Sequence, residues 1–351
     1  MNNSQTGLNR IKELDALRGI AAMFVVLFHL TMRYPQKSLG FNLGITGVHL
    51  FFIISGFVIF MTVDKTTSGK QFVISRVSRL FPTYWTCVSI TFLFLLASAI
   101  IHNTDRGILI YNYFLNLYMV QHYFNVPNLD NAYWTLVIEL VFYLFIYVLL
   151  LTKQLNKIFF ISCIGLLLVA IYTFILKTNY PNLHVAISHY IPLMNHFPLF
   201  FAGILFYKLK MNEPVINVFV NYSVITICLL LQMAQYTQAV DVWSVSILEY
   251  SVMLCVYFFI FILFVNDKLS FLVSRPTLYL GSISYALYLV HQIISLDYVL
   301  PFLIGDLGWF YWPSALVAVL IALSLASLIT FYIEKPLGKR MKLWLKGSFK
   351  A

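Results

Sequence analysis

Ten apolar segments of roughly membrane-spanning length run through the chain, near residues 16–32, 46–63, 83–101, 134–151, 158–176, 194–207, 215–233, 246–265, 277–295 and 313–332. About 20 apolar residues is the length a helix needs to cross a bilayer core. No water is present there to take up backbone N–H and C=O groups, so such runs must satisfy those groups within their own helices. The 351 residues are 61% hydrophobic and only 10% charged, against about 25% charged in an ordinary soluble domain. The expected fold class is therefore all-α, an integral membrane bundle of about ten transmembrane helices. The 32 Phe and 23 Tyr supply broad lipid-facing and interfacial surface. The first apolar run is followed by another span rather than a small-residue cleavage site, so it reads as an uncleaved signal anchor.

Charge orients the bundle. A formal net charge of +10 would suit nucleic acid, but in a multispan chain Lys and Arg gather in cytoplasmic loops, and no nucleic-acid partner is expected. One further run, 107–122, is short and carries Asn112, Asn116 and Gln121. If it does not cross and the N-terminus is inside, only Arg33, Lys37, Arg106 and Lys177 of the 23 Lys and Arg lie outside; Arg10, Lys65 and Lys350 are among those inside. If it crosses, every later loop flips and most of the basic residues face outward. The positive-inside rule selects the first arrangement: both termini cytoplasmic, and 107–122 re-entrant or interfacial in an outer loop of about 102–133. A transmembrane domain over 1–340 is followed by a basic cytoplasmic tail over 341–351, whose Leu343 and Trp344 suit a headgroup-facing end. Cys87, Cys163, Cys228 and Cys255 fall inside apolar runs without ligand spacing. They read as small core hydrophobes, with no disulfide or metal site expected.

Polar residues within the apolar runs are the candidates for chemistry, because an ionisable group placed there is costly. Arg18 opens the first run, ten uncharged residues follow, and His29 comes next. Eleven helical positions make about 1100° of rotation and about 16 Å of rise, so both side chains share one stripe. Arg18 also suits a plain inner-face anchor and His29 an interfacial residue, but a neutral imidazole in a partly dry site makes a good general base or nucleophile. In the second run, Ser55-Gly56 allows close helix approach, and His49 lies at a depth from which it could approach His29. Arg76 and Arg79 stand three apart in what reads as an inner loop, just ahead of Pro82, which can open a helix. Such a fork suits phosphate oxygens as well as topology. Glu139 is one of two acids well within the spans, the other being Glu249 near an outer end, and Thr135, Glu139 and Tyr143 form one polar stripe. Ser284, Tyr288 and His291 share a face of the ninth run, suited to interhelical bonding or to lining a pocket. The chain has no Walker loop, dinucleotide glycine fingerprint, zinc spacing or nucleophile elbow.

Taken in order, Leu14 to His29, Gly47 to Phe57, Arg76 to Tyr84, Trp134 to Tyr143, Gly281 to His291 and Phe331 to Pro336 resemble the motifs of the bacterial acyltransferase 3 family. Its members are membrane O-acyltransferases, mostly O-acetyltransferases of envelope polysaccharides. The resemblance runs from about Leu14 to Pro336. It implies a ten-helix core in a bacterial cytoplasmic membrane that takes an acyl group from cytoplasmic acyl-CoA, with acetyl-CoA as donor cosubstrate. The acceptor is a hydroxyl of an extracytoplasmic carbohydrate or glycolipid. The family's arginine-ten-histidine motif maps to Arg18 and His29, the latter the catalytic histidine, and its paired arginines map to Arg76 and Arg79, which would hold CoA phosphates. Its tryptophan-to-glutamate motif maps to Trp134 and Glu139. Leu140 stands where many members have a second acid, and His49 where many have an acid. Some members carry a fused extracytoplasmic hydrolase-like domain, so a separate extracytoplasmic transferase is a candidate partner.

The expected enzyme is an O-acyltransferase with catalytic His29, Arg18 and Glu139, donor-binding Arg76 and Arg79, and a substrate pocket including His49, Ser55, Trp134, Tyr288 and His291. The alternatives are a secondary transporter in which His29, His291 and Glu139 relay protons, and an exporter of an acylated glycan.

Overall fold

The computed structural model describes residues 11–64, 66, 68–239 and 245–348; Arg10, Lys65 and Lys350 lie outside these. Among the described residues every regular element is helical. Helix α1 (Lys12–Thr31) leads through two tight 3-10 turns to α2 (Gly47–Val63). Next come α3 (Gly69–Ile101), the short α4 (Arg106–Asn116), α5 (Trp134–Leu151), α6 (Ile158–Ala170) and α7 (Pro181–Tyr190). Then follow α8 (Phe197–Lys210), α9 (Val218–Ala234), α10 (Ile247–Val265), α11 (Arg275–Ile293), α12 (Tyr311–Leu328) and α13 (Lys335–Ser348). Among the described residues, eight helical stretches are long and apolar enough to cross a membrane. The shorter helices α8 and α9 occupy the two remaining expected spans.

The short α8 is explained by its place. Nearly all of its side chains are buried, so it sits inside the bundle against α2. Two glycines bring the pair together: a Cβ on Gly56 would come within 2.0 Å of the Phe200 carbonyl oxygen, and one on Gly203 within 2.2 Å of that of Ile53. The same device joins α1 to α11, where a Cβ on Gly19 would lie 2.6 Å from the Gly281 nitrogen and one on Gly281 2.0 Å from the Asp15 carbonyl oxygen. Without a hydrophobic drive between helices in lipid, close backbone approach at small residues is what packs them. Each contact fixes the rotation of a helix that carries site residues.

Local signals set several ends. Ser246 and Glu249 form a reciprocal capping box at the start of α10, which accounts for the second acid of the spans as a cap. Ser274 and Thr277 do the same for α11.

Arg76 and Arg79 lie not in a loop but on α3, which begins at Gly69 and runs through Pro82. Contacts on both sides of the proline hold the helix: Arg76 Nη2 donates to Thr62 Oγ1 at 3.1 Å, the Tyr285 hydroxyl donates to the Leu80 carbonyl at 3.3 Å, and the Thr86 hydroxyl donates to Pro82 O at 2.8 Å. In a bundle, neighbouring helices and Ser or Thr side chains make a helix-interior proline tolerable.

The 107–122 run contains α4, whose 11 residues extend about 17 Å and cannot cross a core of about 30 Å. Its end is tied to α3, because the Tyr84 hydroxyl donates to the Asn116 carbonyl at 2.6 Å and the Trp85 indole to that of Leu117 at 3.0 Å.

Candidate active site

A cavity of about 120 Å³ lies between α1, α2, α3, α5 and α11 and is also lined by Glu334, at the end of a π-helical turn following α12. Arg18, Arg76 and Arg79 all line it. Arg76 is buried, with its guanidinium carbon 5.7 Å from the centre of the Phe72 ring and 5.9 Å from that of Tyr143. Beyond the bond of Nη2 to Thr62, its Nε and Nη1 make no hydrogen bond among the described residues. Buried donors are paired in the great majority of proteins, and each exception calls for a reason such as an absent ligand. Among the described residues no ion pair joins any of these three arginines to Glu139 or Glu334. Three guanidinium groups therefore line one volume together with the carboxylates of Glu139 and Glu334, and the unpaired donors of Arg76 suit phosphate oxygens.

Glu139 faces the same cavity from α5. Its Oε1 accepts the Ser55 hydroxyl at 3.2 Å and the Tyr143 hydroxyl one helical turn on. The polar stripe read from the four-residue spacing thus becomes a hydrogen-bonded unit, and Ser55 joins it because the Gly56–Phe200 contact fixes the rotation of α2. Tyr288 also lines the cavity from α11, its hydroxyl accepting that of Thr135 at 3.0 Å.

His29 does not line this cavity. It lies further along α1, half-buried, with its Nδ1 2.9 Å from the Val25 carbonyl oxygen. Opposite it on α11, His291 is almost fully buried, and its Nε2 lies 3.0 Å from His29 Nδ1. Nδ1 of His291 lies 2.9 Å from the carbonyl oxygen of Tyr288 and 3.1 Å from that of Leu287. Tyr288 connects the two regions: it walls the arginine cavity, and its ring centre lies 5.9 Å from that of His291. Beyond His291 the helix widens into a π-helical segment, Ile294–Val299, a distortion that often marks functional sites. An ion pair between Arg33 and Asp297 joins the exit of α1 to this segment.

Of the expected residues, Arg18, Ser55, Arg76, Arg79, Glu139 and Tyr288 meet at the cavity, while His29 and His291 pair beside it. His49 does not reach His29. It is buried against His196 and Tyr250, with ring centres 5.7 and 5.2 Å away. Trp134 also packs against His196, their ring centres 5.7 Å apart. The sequence reading passed over Glu334, His196 and Asp130. Glu334 was visible as an acid closing the Phe331–Pro336 stretch; the other two carry no local signal of their place.

A family model described as an acyltransferase domain, that of acyltransferase 3, matches residues 11–331. A curated protein of Acidianus two-tailed virus, named "Putative acetyltransferase ORF330", is 27% identical over 289 residues, covering 80% of this chain and 82% of that protein. No solved structure matches the chain. The match spans all five helices that wall the arginine cavity and both paired histidines, and the chain belongs to the acyltransferase 3 family of membrane acyltransferases.

Proposed function

We propose that this membrane acyltransferase moves an acyl group, acetyl in the first instance, from cytoplasmic acyl-CoA to a hydroxyl of an extracytoplasmic carbohydrate or glycolipid. The observation that carries the reading is the pairing of two sites in one bundle. Arg18, Arg76 and Arg79 converge on a cavity, and the His29–His291 pair adjoins it across Tyr288. The buried, unpartnered Nε and Nη1 of Arg76 fit a polyanionic donor that brings its own acceptor atoms. The distribution of basic residues supports placing the arginine end at the cytoplasmic face of a bacterial cytoplasmic membrane, with His29 about 16 Å deeper by helical rise.

Arg76 and Arg79 bind the phosphates of CoA, and Arg18 adds positive charge where the donor enters. The acyl thioester then lies along the path toward His29, whose imidazole takes the proton of the acceptor hydroxyl as general base. Glu139, held by Ser55 and Tyr143, balances the charge of the arginine cluster. An acyl-histidine route begins at the same side chain; labelled acetyl-CoA supplied without acceptor separates the two, because only the covalent route leaves label on His29.

The deciding experiment is purified protein in liposomes with acetyl-CoA and isolated envelope glycan, read by mass spectrometry. A gain of one acetyl group per acceptor supports the reading, and its appearance with this protein alone shows that no separate extracytoplasmic transferase is required. Movement of unmodified glycan, or full activity of His29→Ala, would overturn it.

A further inference from the structure

The two paired imidazoles fix where their protons lie. Nδ1 of His291 faces two carbonyl oxygens, those of Tyr288 at 2.9 Å and Leu287 at 3.1 Å. A carbonyl only accepts, so this nitrogen carries a proton. In a neutral ring the other nitrogen, Nε2, then has only a lone pair. That lone pair lies 3.0 Å from His29 Nδ1, which must therefore be the donor. His29 Nδ1 also lies 2.9 Å from the Val25 carbonyl oxygen, a second acceptor calling for the same proton. The reverse arrangement, with His291 Nε2 donating, would set the His29 Nδ1 lone pair against that carbonyl. With its proton on Nδ1, His29 has its basic lone pair on Nε2, the nitrogen to which no group among the described residues is hydrogen-bonded.

Accordingly, we infer that His291 is a positioning residue that holds His29 in the Nδ1–H tautomer and stabilises its cationic form during transfer. This rests on the reading of His29 as the base. In the transfer step the acceptor oxygen bonds to the thioester carbonyl carbon, and its proton passes to His29 Nε2. The carbon–sulfur bond then breaks, and the CoA thiolate leaves with the proton returned from Nε2. While His29 is charged, its Nδ1–H bond to His291 Nε2 becomes charge-assisted and stronger. The orienting partner that a carboxylate supplies in a Ser-His-Asp arrangement is here a second imidazole, itself oriented by the carbonyls of its own helix. The close contact between Gly281 and Asp15 sets α11 against α1 closely enough for the pair to form.

The test compares His291→Leu and His291→Gln in the full-length protein, with CoA binding and size-exclusion behaviour confirming the fold of each. Leu removes the acceptor for His29 Nδ1–H, and kcat is expected to fall about 100-fold, the lower range for losing acid–base assistance, with KM for acetyl-CoA within about twofold. The Gln side-chain oxygen can accept the same proton and should restore at least about tenfold of that loss, a rescue that simple packing would not give. Nitrogen-15 NMR of labelled histidine, with His29→Gln to assign the signal, should show His29 protonated at Nδ1 and bare at Nε2 in the wild type. Unchanged kcat in His291→Leu, no recovery in His291→Gln, or a proton on His29 Nε2 would each overturn the inference. If His29→Ala is also active, the base assignment itself falls; if His29→Ala is dead while His291→Leu is fully active, only the role of His291 falls.

Discussion

Asp130 reaches from the loop before α5 to the end of α11, where its Oδ2 accepts the backbone N–H of Ile293 at 3.1 Å, two residues beyond His291. Its Oδ1 accepts the Ala132 N–H at 2.9 Å. One buried carboxylate thus ties the start of one site-bearing helix to the point where another changes from α to π geometry.

Burial pushes the Asp130 carboxyl up to about 7, its two backbone donors only partly opposing the shift and Asp297 adding to it. A carboxyl whose folded-state value is raised binds its proton more tightly when folded, so stability falls as pH rises from about 4 to about 7. Detergent-solubilised protein should melt roughly 5 °C higher at pH 5.5 than at pH 8. Asp130→Asn should flatten that difference; an equal slope in the variant would show that another group titrates.

On the proposed reading the arginine cavity holds the donor and the histidine pair carries the chemistry. Arg76→Gln and Arg79→Ala should each raise KM for acetyl-CoA by about 10- to 100-fold, the range for losing one charged hydrogen bond of about 1.5–3 kcal/mol. Initial-rate kinetics in liposomes measure this, and unchanged KM in both variants would remove their phosphate role.

Glu139 accepts from Ser55 and Tyr143. Tyr143→Phe and Ser55→Ala should each lower activity by about 2- to 13-fold, as removal of a hydrogen bond worth about 1 ± 0.5 kcal/mol implies. Glu139→Gln keeps the shape and removes the charge, so a larger loss than in either neighbour identifies charge as its contribution.

Gly281→Ala places a Cβ 2.0 Å from the Asp15 carbonyl oxygen, and backbone atoms cannot move aside as a side-chain tip can. The cost should be about 1–3 kcal/mol of stability, with kcat reduced because α11 carries His291 away from His29. Melting temperature and kcat measured together check this; loss of neither would deny that the glycine contact positions the pair.

A reporter fused after Asn128 should be accessible from outside the cell, since α4 is too short to cross. A cytoplasmic signal there would invert the proposed direction of transfer.

The spans, their order and the shared stripe of Arg18 and His29 were legible in the sequence, because each depends on local periodicity and on how apolar runs respond to lipid. The Thr135–Glu139–Tyr143 stripe was legible for the same reason. Reading Arg76 to Trp85 as a loop failed because Pro82 is a local helix-breaking signal, overruled by Thr62 and Tyr285 from other helices.

The partner of His29 was decided by tertiary structure alone. His291 is 262 residues away, while His49, nearer in sequence and at a suitable depth, turns to His196 and Tyr250 instead. Period and hydropathy say which residues share one helix face; they do not say which helix that face meets. That depends on close contacts such as Gly19 with Gly281 and Gly56 with Phe200, where two backbones approach and fix the rotation of both helices. The sequence determined a membrane bundle with a histidine set beyond an arginine, and the packing of α1 on α11 determined which side chain that histidine meets.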